Sequence, residues 1–391
     1  MNCSFNKATR LTLLPPYLFA KLDQSKRKLK EKGKDLIDLG IGDPDIPTPA
    51  PIINRLIEAS RNPLNHRYPP YEGLFSFREE VAKWYSRRFG VSLDPETEVL
   101  ALIGSKEGIA HISLGLLNPG DLALVPEPAY PVYQAGVIFA GAKPFYIPLK
   151  QETKFLPFLE DIDHNIASKA KLIWVNYPNN PTGAVVEIDF FKGLVEFAKK
   201  YNLIVCNDLA YSELSYDGYC APSILQVEGA KEVAVEFHSL SKSFCMTGWR
   251  LGFAVGNKNI LAILREVKTN VDSGVFQAIQ EAGVEALKLG DILINDIREV
   301  YRRRRDIFVE GLRKLGWQVT PPKATFYLWI KIPQKGISSI DFAQKLLYEC
   351  GVVVTPGIGF GPSGEGYVRV ALTVDEEKLK EALYRLEKIN L

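Results

Sequence analysis

Val233-Ala-Val-Glu-Phe-His238 runs directly into Ser239-Leu-Ser-Lys242-Ser-Phe-Cys-Met-Thr-Gly-Trp-Arg250. The first six residues form a short, largely apolar run and read as a strand. The next residues make a loop of small and hydroxyl side chains around a lysine, with an arginine eight residues beyond it. Small residues let a planar ligand approach the backbone. Hydroxyls and a guanidinium suit a phosphate. By itself a lysine between serines is an ordinary surface lysine, so the reading turns on what surrounds this strand.

Similar short apolar runs recur on either side, at Val99 to Ile103, Leu122 to Val125, Leu172 to Asn176, Leu203 to Asn207 and Phe253 to Val255. Helix-length segments separate them, such as Lys106 to Leu117, Tyr130 to Phe139 and Ile188 to Lys200. Strands alternating with helices predict an α/β fold with a mostly parallel sheet covered on both faces. Upstream, Tyr17 to Lys32 reads as a helix stopped by Gly33, Leu36 to Leu39 as a strand, and Leu74 to Phe89 as a helix stopped by Gly90. Downstream, about 275 to 315 reads as nearly continuous helix. Its basic run Arg302 to Arg305 reads as a solvated face. The tail adds strands at Phe326 to Ile332 and Tyr367 to Leu372, and helices at Ser339 to Glu349 and Glu376 to Ile389. The expected division is a large domain over 45–285 and a smaller α+β domain formed by 1–44 with 286–391.

The chain has 391 residues, 46% of them hydrophobic and 24% charged, which fits two globular domains rather than a disordered chain. Net charge is +2, so nothing points to nucleic acid or a membrane surface. Pro15-Pro16 breaks the apolar stretch Leu11 to Ala20, which argues against a signal peptide. The five cysteines are scattered, with no C-x-x-C pair, as expected of a reducing cytoplasm. The four histidines are far apart, so no metal is expected.

Five further segments carry chemistry-bearing residues. Asn176-Tyr-Pro-Asn-Asn180-Pro181-Thr-Gly183 follows a strand, where Asn and Pro ordinarily mark a turn. Asn207-Asp208-Leu-Ala-Tyr211 places a carboxylate just past a strand, a position that a simple cap also explains. Gly104-Ser105-Lys106-Glu107-Gly108 opens a helix whose free N–H groups attract phosphate. In Pro128-Ala-Tyr130-Pro-Val-Tyr133, Tyr130 is either a ring-stacking aromatic or core. Tyr367-Val-Arg369-Val-Ala-Leu buries an arginine in an apolar strand, where it needs an anion.

Together, and in this order, these segments resemble fold-type I aminotransferases, which use pyridoxal 5′-phosphate. The resemblance runs from about residue 36 to 372. It implies that Lys242 is the catalytic lysine bonded to the cofactor aldehyde. Ser239, Arg250, Ser105 and Lys106, with Ser241 as a helper, then hold the phosphate. Tyr130 stacks on the ring, Asn180 and Tyr211 bond its phenolic oxygen, and Asp208 keeps its nitrogen protonated. Asp208 lies 28 residues after Asn180 and 34 before Lys242, intervals similar to the family's. Arg369 takes the substrate α-carboxylate, with Gly42 of Gly40-Ile-Gly42 beside it. Tyr68, in His66-Arg-Tyr68-Pro-Pro-Tyr71-Glu72-Gly73, reaches the phosphate of a neighbouring subunit, so a homodimer with shared sites is implied. The resemblance also implies a cis peptide at Asn180–Pro181 and, secondarily, at Glu127–Pro128.

Several phrases are similar to LL-diaminopimelate aminotransferases, among them Leu14-Pro-Pro-Tyr17-Leu-Phe-Ala20, Phe237-His-Ser-Leu-Ser-Lys242 and Lys268-Thr-Asn270-Val-Asp-Ser-Gly274. The resemblance makes the substrates an amino acid and 2-oxoglutarate. Tyr17, Lys106, Asn270 and Glu72 are then the candidates for the rest of the substrate. Leu209 and Phe244-Cys245 depart from the family's pattern beside cofactor ligands without replacing them. Aspartate or another amino acid as donor, and a carbon–sulfur lyase reaction, are the alternatives.

Overall fold

The computed structural model describes residues 5–14 and 20–389. Its centre is a seven-stranded sheet. In spatial order the strands are Val99–Leu102, Gly252–Gly256, Ala234–Ser239, Ile204–Asp208, Ala170–Val175, Leu122–Glu127 and Lys143–Pro148. Neighbours from Ala234–Ser239 to Lys143–Pro148 run parallel, and only Gly252–Gly256 is antiparallel to both of its partners. The period-two alternation of the strands splits the apolar residues between two cores. Leu102, Val125, Leu172, Trp174, Cys206 and Phe237 face one side, while Ala101, Leu124, Ile173, Val205 and Phe253 face the other.

The strand Lys143–Pro148 was not legible in the sequence. It carries two prolines and is mostly solvent-facing, and an edge strand tolerates both. The helix expected from Tyr17 is described from Ala20 to Glu31, and residues 15–19 lie outside the described residues. The strand at Leu36 to Leu39 shortens to Ile37–Asp38, parallel to Val352–Val353. The long helical stretch divides into Gln277–Lys288 and Gly290–Lys314.

A three-stranded antiparallel sheet of Thr355–Pro356, Tyr367–Ala371 and Tyr327–Lys331 packs with the helices Gly290–Lys314, Ser339–Cys350 and Glu376–Glu387. Its core gathers Ile37, Leu39, Phe308, Phe326, Val368 and Leu379, together with Tyr211 and Tyr216 from beyond the large sheet's strand ends. The two sheets therefore meet where the large sheet's strands end. No helix among the described residues is long and apolar enough to cross a membrane.

The basic run is not a solvated face. Arg302 and Arg303 are partly exposed, but Arg304 and Arg305 are only 6% and 3% exposed. Arg304 forks onto Asp45 at 2.6 and 2.8 Å and reaches Leu372 O at 3.1 Å. Arg305 forks onto Asp217 at 2.6 and 3.1 Å. Each turn of the helix offers some positions inward, and arginine can be buried only where a carboxylate waits. Those carboxylates lie far off in sequence. Arg304→Leu should lose about 2–3 kcal/mol of stability, the value of charged hydrogen bonds whose partner, Asp45, is partly exposed. A urea melt with an unchanged midpoint would refute the structural role given to this pair.

Candidate active site

Residues beyond the C-terminal ends of five strands converge on one crevice, where sheets of this kind bind ligands. Ser105 follows Val99–Leu102, Tyr130 follows Leu122–Glu127, Asn180 follows Ala170–Val175, Asp208 ends its strand, and Lys242 follows Ala234–Ser239. With Gly42, Lys106, Tyr211, Ser239, Ser241, Arg250, Tyr327 and Arg369 they line a cavity of about 290 Å³.

Asp208 is buried in the cavity wall. Tyr133 Oη donates to its Oδ2 at 2.8 Å, while Oδ1 is buried without a partner. Burial pushes its carboxyl up to about 6, against the opposing pull of the Tyr133 hydrogen bond. Burial also raises Tyr133 well above the usual phenol range, and the Asp208 charge adds to it, so Tyr133 keeps its proton and donates. Asn176 Nδ2 fixes the Asp208 carbonyl at 2.6 Å, and its Oδ1 accepts from Asn180 N at 2.8 Å. One asparagine thus ties two neighbouring strand ends together. The bonds Glu127–Pro128 and Asn180–Pro181 are cis, as expected, and Tyr177–Pro178 is a third that was not expected.

Lys242 Nζ donates to Gly42 O at 3.2 Å. Gly42 has to be glycine, because a Cβ there would lie 2.1 Å from Tyr327 Oη. That hydroxyl pairs with Tyr211 Oη at 3.1 Å. Burial, reinforced by Tyr327, raises Tyr211 and keeps it protonated. Across the cavity, Gly104 (φ 72°) starts the helix Ser105–Leu116. A Cβ on it would strike the Arg250 guanidinium at 2.3 Å. Arg250 and the first N–H groups of that helix therefore share one corner with Ser239, a ready anion site. Tyr130 closes another wall, edge-on to Tyr133 at 5.9 Å, with the Lys106 ammonium 5.8 Å from its ring centre. Burial, then the charge of Asp208, pushes Tyr130 up to about 12. Arg369 Nη1 donates to Asn180 Oδ1 at 2.9 Å.

The profile of the family described as "Aminotransferase class I and II" matches residues 34–386. The chain belongs to the class I and II aminotransferases. An LL-diaminopimelate aminotransferase from Aquifex aeolicus is 55% identical over 387 residues, covering 99% of this chain and 100% of that one. One from Halothermothrix orenii is 53% identical, covering 98% of each. Among solved structures, substrate-bound BacF from Bacillus subtilis has a TM-score of 0.95 at 39% identity, covering 99% of this chain and 98% of that one.

These aminotransferases use pyridoxal phosphate, and the cavity fits it on its own terms. The orphaned Oδ1 of Asp208 calls for a buried cationic N–H, the Gly104–Arg250 corner for a phosphate, and Lys242 lines the same cavity. Of the residues singled out from sequence, Tyr68, Asn270 and Glu72 are not brought into this cavity. Tyr68 is 85% exposed, Asn270 Nδ2 bonds Glu266 O at 2.8 Å, and Glu72 pairs with Arg265 at 3.0 Å. Tyr17 lies outside the described residues. The sequence reading missed Tyr133 and Tyr327. Tyr133 sits three residues after Tyr130, a spacing that a buried helix face also explains.

Glu107, His111 and Asp272 bring their ligand atoms within 4.8 Å of one another. The fully buried Lys268 ammonium lies among them, 2.8 Å from Asp272 and 3.3 Å from Glu107, and already answers their charge.

A carboxyl raised by folding opposes folding once it ionises. Stability from this source is intact below its unfolded value near 4 and is lost as pH rises through about 6. Stripped of cofactor, Asp208→Asn should therefore be more stable than the parent at pH 8, by on the order of 3 kcal/mol. The gap should close toward pH 4. Parallel urea melts across this range test it, and a gap that is absent or widens in acid would contradict the assignment.

Proposed function

We propose that the protein moves an amino group from LL-diaminopimelate to 2-oxoglutarate, or in the reverse direction. The observation that carries the reaction class is the convergence of Lys242, Asp208 Oδ1 and Arg369 on one cavity. The substrate rests on relatives of that printed name at 53–55% identity over almost the whole chain.

Pyridoxal phosphate, when bound, supplies the aldehyde that captures the amino group and a ring that draws electrons from the substrate Cα. Asp208 would hold the proton of the ring nitrogen on Oδ1 while Tyr133 fixes Oδ2. Ser105 N–H, Ser239 and Arg250 would take the phosphate. Asn180 has its Oδ1 committed to Arg369, so its Nδ2 is left to donate beside the protonated Tyr211 hydroxyl. Arg369 would hold the α-carboxylate of the amino acid and of the oxo acid in turn. Lys242 Nζ, oriented by Gly42 O, is the base that accepts the Cα proton. Tyr130 and Tyr327 narrow the cavity and exclude water.

Both ends of diaminopimelate are zwitterionic, so the distal end needs a cation and an acceptor. Lys106 is the cavity-lining cation left over once Arg250, Arg369 and Lys242 have their tasks. Acceptors would come from Glu72 or Asn270 of a second copy. The segments bearing them are adjacent: Gln277 Nε2 donates to Arg67 O at 3.1 Å, and Leu64, Tyr68, Val271 and Phe276 expose apolar surface around that contact. Such a patch on two packed segments suits a homodimer.

Donors assayed for glutamate formed from 2-oxoglutarate test the substrate. LL-diaminopimelate should exceed aspartate in kcat/KM, and Lys242→Ala should abolish both activity and visible cofactor absorbance. Lys106→Ala should cost about 10- to 100-fold with diaminopimelate, the value of a charged hydrogen bond, and far less with donors lacking a distal carboxylate. Preference for aspartate would replace the proposed donor.

Shared sites can be tested by mixing. Tyr68→Ala and Lys242→Ala should each be impaired alone. Dissociated and reassociated together, they should regain activity, since the hybrid holds one site with both native residues. No recovery, or full activity in a monomer, would remove the shared site.

A further inference from the structure

The carboxylate-binding edge of Arg369 is set from behind by backbone. Nη2 donates to Gly40 O at 2.9 Å, and Nη1 donates to Asn180. The guanidinium lies over the rings of Tyr327 and Phe360, 4.3 and 4.8 Å from their centres. Nε is buried and unpartnered. Of the five N–H groups of a guanidinium, those remaining on Nε and Nη2 share one edge and can receive a carboxylate side by side. Where that edge points depends on where Gly40 O sits.

Gly40 lies beyond the short pairing of Ile37–Asp38 with Val352–Val353. Side chains hold it instead. Thr355 Oγ1 donates to Gly40 O at 2.9 Å, and Gly40 N donates to Asp38 Oδ1 at 3.0 Å. The other Asp38 oxygen takes Lys26 Nζ at 2.5 Å, with Asp23 3.8 Å from the same ammonium. The Lys26 and Asp38 side chains are only 16% and 20% exposed, so solvent screens the pair less than a surface one. Lys26, Asp38, Gly40 and Arg369 line one chamber of about 300 Å³. That chamber shares Tyr130 and Arg369 with the cofactor cavity. The helix carrying Lys26 has other anchors. Leu29 packs near Leu347 and Val353, and Tyr348 Oη donates to Ser25 Oγ at 2.8 Å. Docking that helix does not require the ion pair.

We infer that Lys26 and Asp38 are positioning residues for substrate binding: their ion pair holds the Asp38 carboxylate on the Gly40 amide, which sets the carbonyl that orients Arg369. The effect belongs to the α-carboxylate, which the amino donor and the oxo-acid acceptor both present to Arg369. The inference rests on Arg369 being the carboxylate ligand.

Steady-state kinetics on the cofactor-loaded enzyme test it. Lys26→Met and Asp38→Asn should each raise KM for donor and acceptor alike, roughly three- to tenfold, as contacts within one network do. kcat should stay within about twofold and the visible cofactor absorbance should not move. Lys26→Arg should restore KM. Arg369→Lys tests the underlying reading. If it leaves KM unchanged, the role of Arg369 falls, and this inference with it. If it raises KM, adding Lys26→Met to it should raise KM no further. Unchanged KM in Lys26→Met, or an equal rise in the Arg369→Lys background, would overturn the inference alone. Should Asp38→Asn fail to fold, Lys26→Met decides, because it keeps the side chain's length and the helix has anchors besides the ion pair.

Discussion

A buried carboxylate with one oxygen unanswered organises this protein. Asp208 ends a central strand, Tyr133 holds one oxygen, and the other faces the cavity. Its neighbour across the sheet shows what a satisfied carboxylate looks like. Glu236 is fully buried on the adjacent strand and accepts from Tyr85 and Ser223 at 2.6 Å, Asn207 at 2.7 Å and Ile224 N at 3.0 Å. Burial drives both acids upward. For Glu236 the hydrogen bonds and charge of His238, then those of Ser223 and Tyr85, outweigh it and hold the group below the usual range. For Asp208 they do not. Two acids in one sheet thus differ in what they lack, and only the one that lacks a partner opens on the crevice.

Five of the chemistry-bearing segments were legible because each lies at or just past a strand end, where a chain direction and a loop suffice to place a side chain. Lys242, Asp208, Asn180, Tyr130 and Ser105 all come to the cavity from such positions. Their supporting partners were not legible. Tyr133 stands 75 residues from Asp208, Tyr327 stands 116 from Tyr211, and Asp45 stands 259 from Arg304. Spacing within a motif carries no information about contacts of that range. The basic run shows the same limit from the other side. Four successive arginines look alike in sequence, yet helix geometry turns two of them inward onto carboxylates from elsewhere.

Buried charge recurs beyond the cavity in paired sets. Lys268 is bracketed by Glu107 and Asp272, and Asp272 Oδ1 also accepts from Gly274 N at 2.7 Å. Glu107 stands one residue after Lys106, and its Oε2 accepts from Ile103 N at 3.1 Å. The Gly104–Arg250 corner is thereby braced by charges that do not line the cavity. Isolated ions would be too costly there.

The close approach of Tyr327 to Gly42 couples two distant parts of the chain. The tyrosine hydroxyl occupies the volume that any side chain at 42 would need, and the same hydroxyl reaches Tyr211 on the large-sheet side. A substitution at position 42 therefore has to be answered at position 327. A side chain at 42 demands a shorter residue at 327, and Tyr211 then loses its partner. A chimera with a crossover between these positions takes one residue from each parent, so it packs only where the parents carry a compatible pair, however well the two halves match elsewhere.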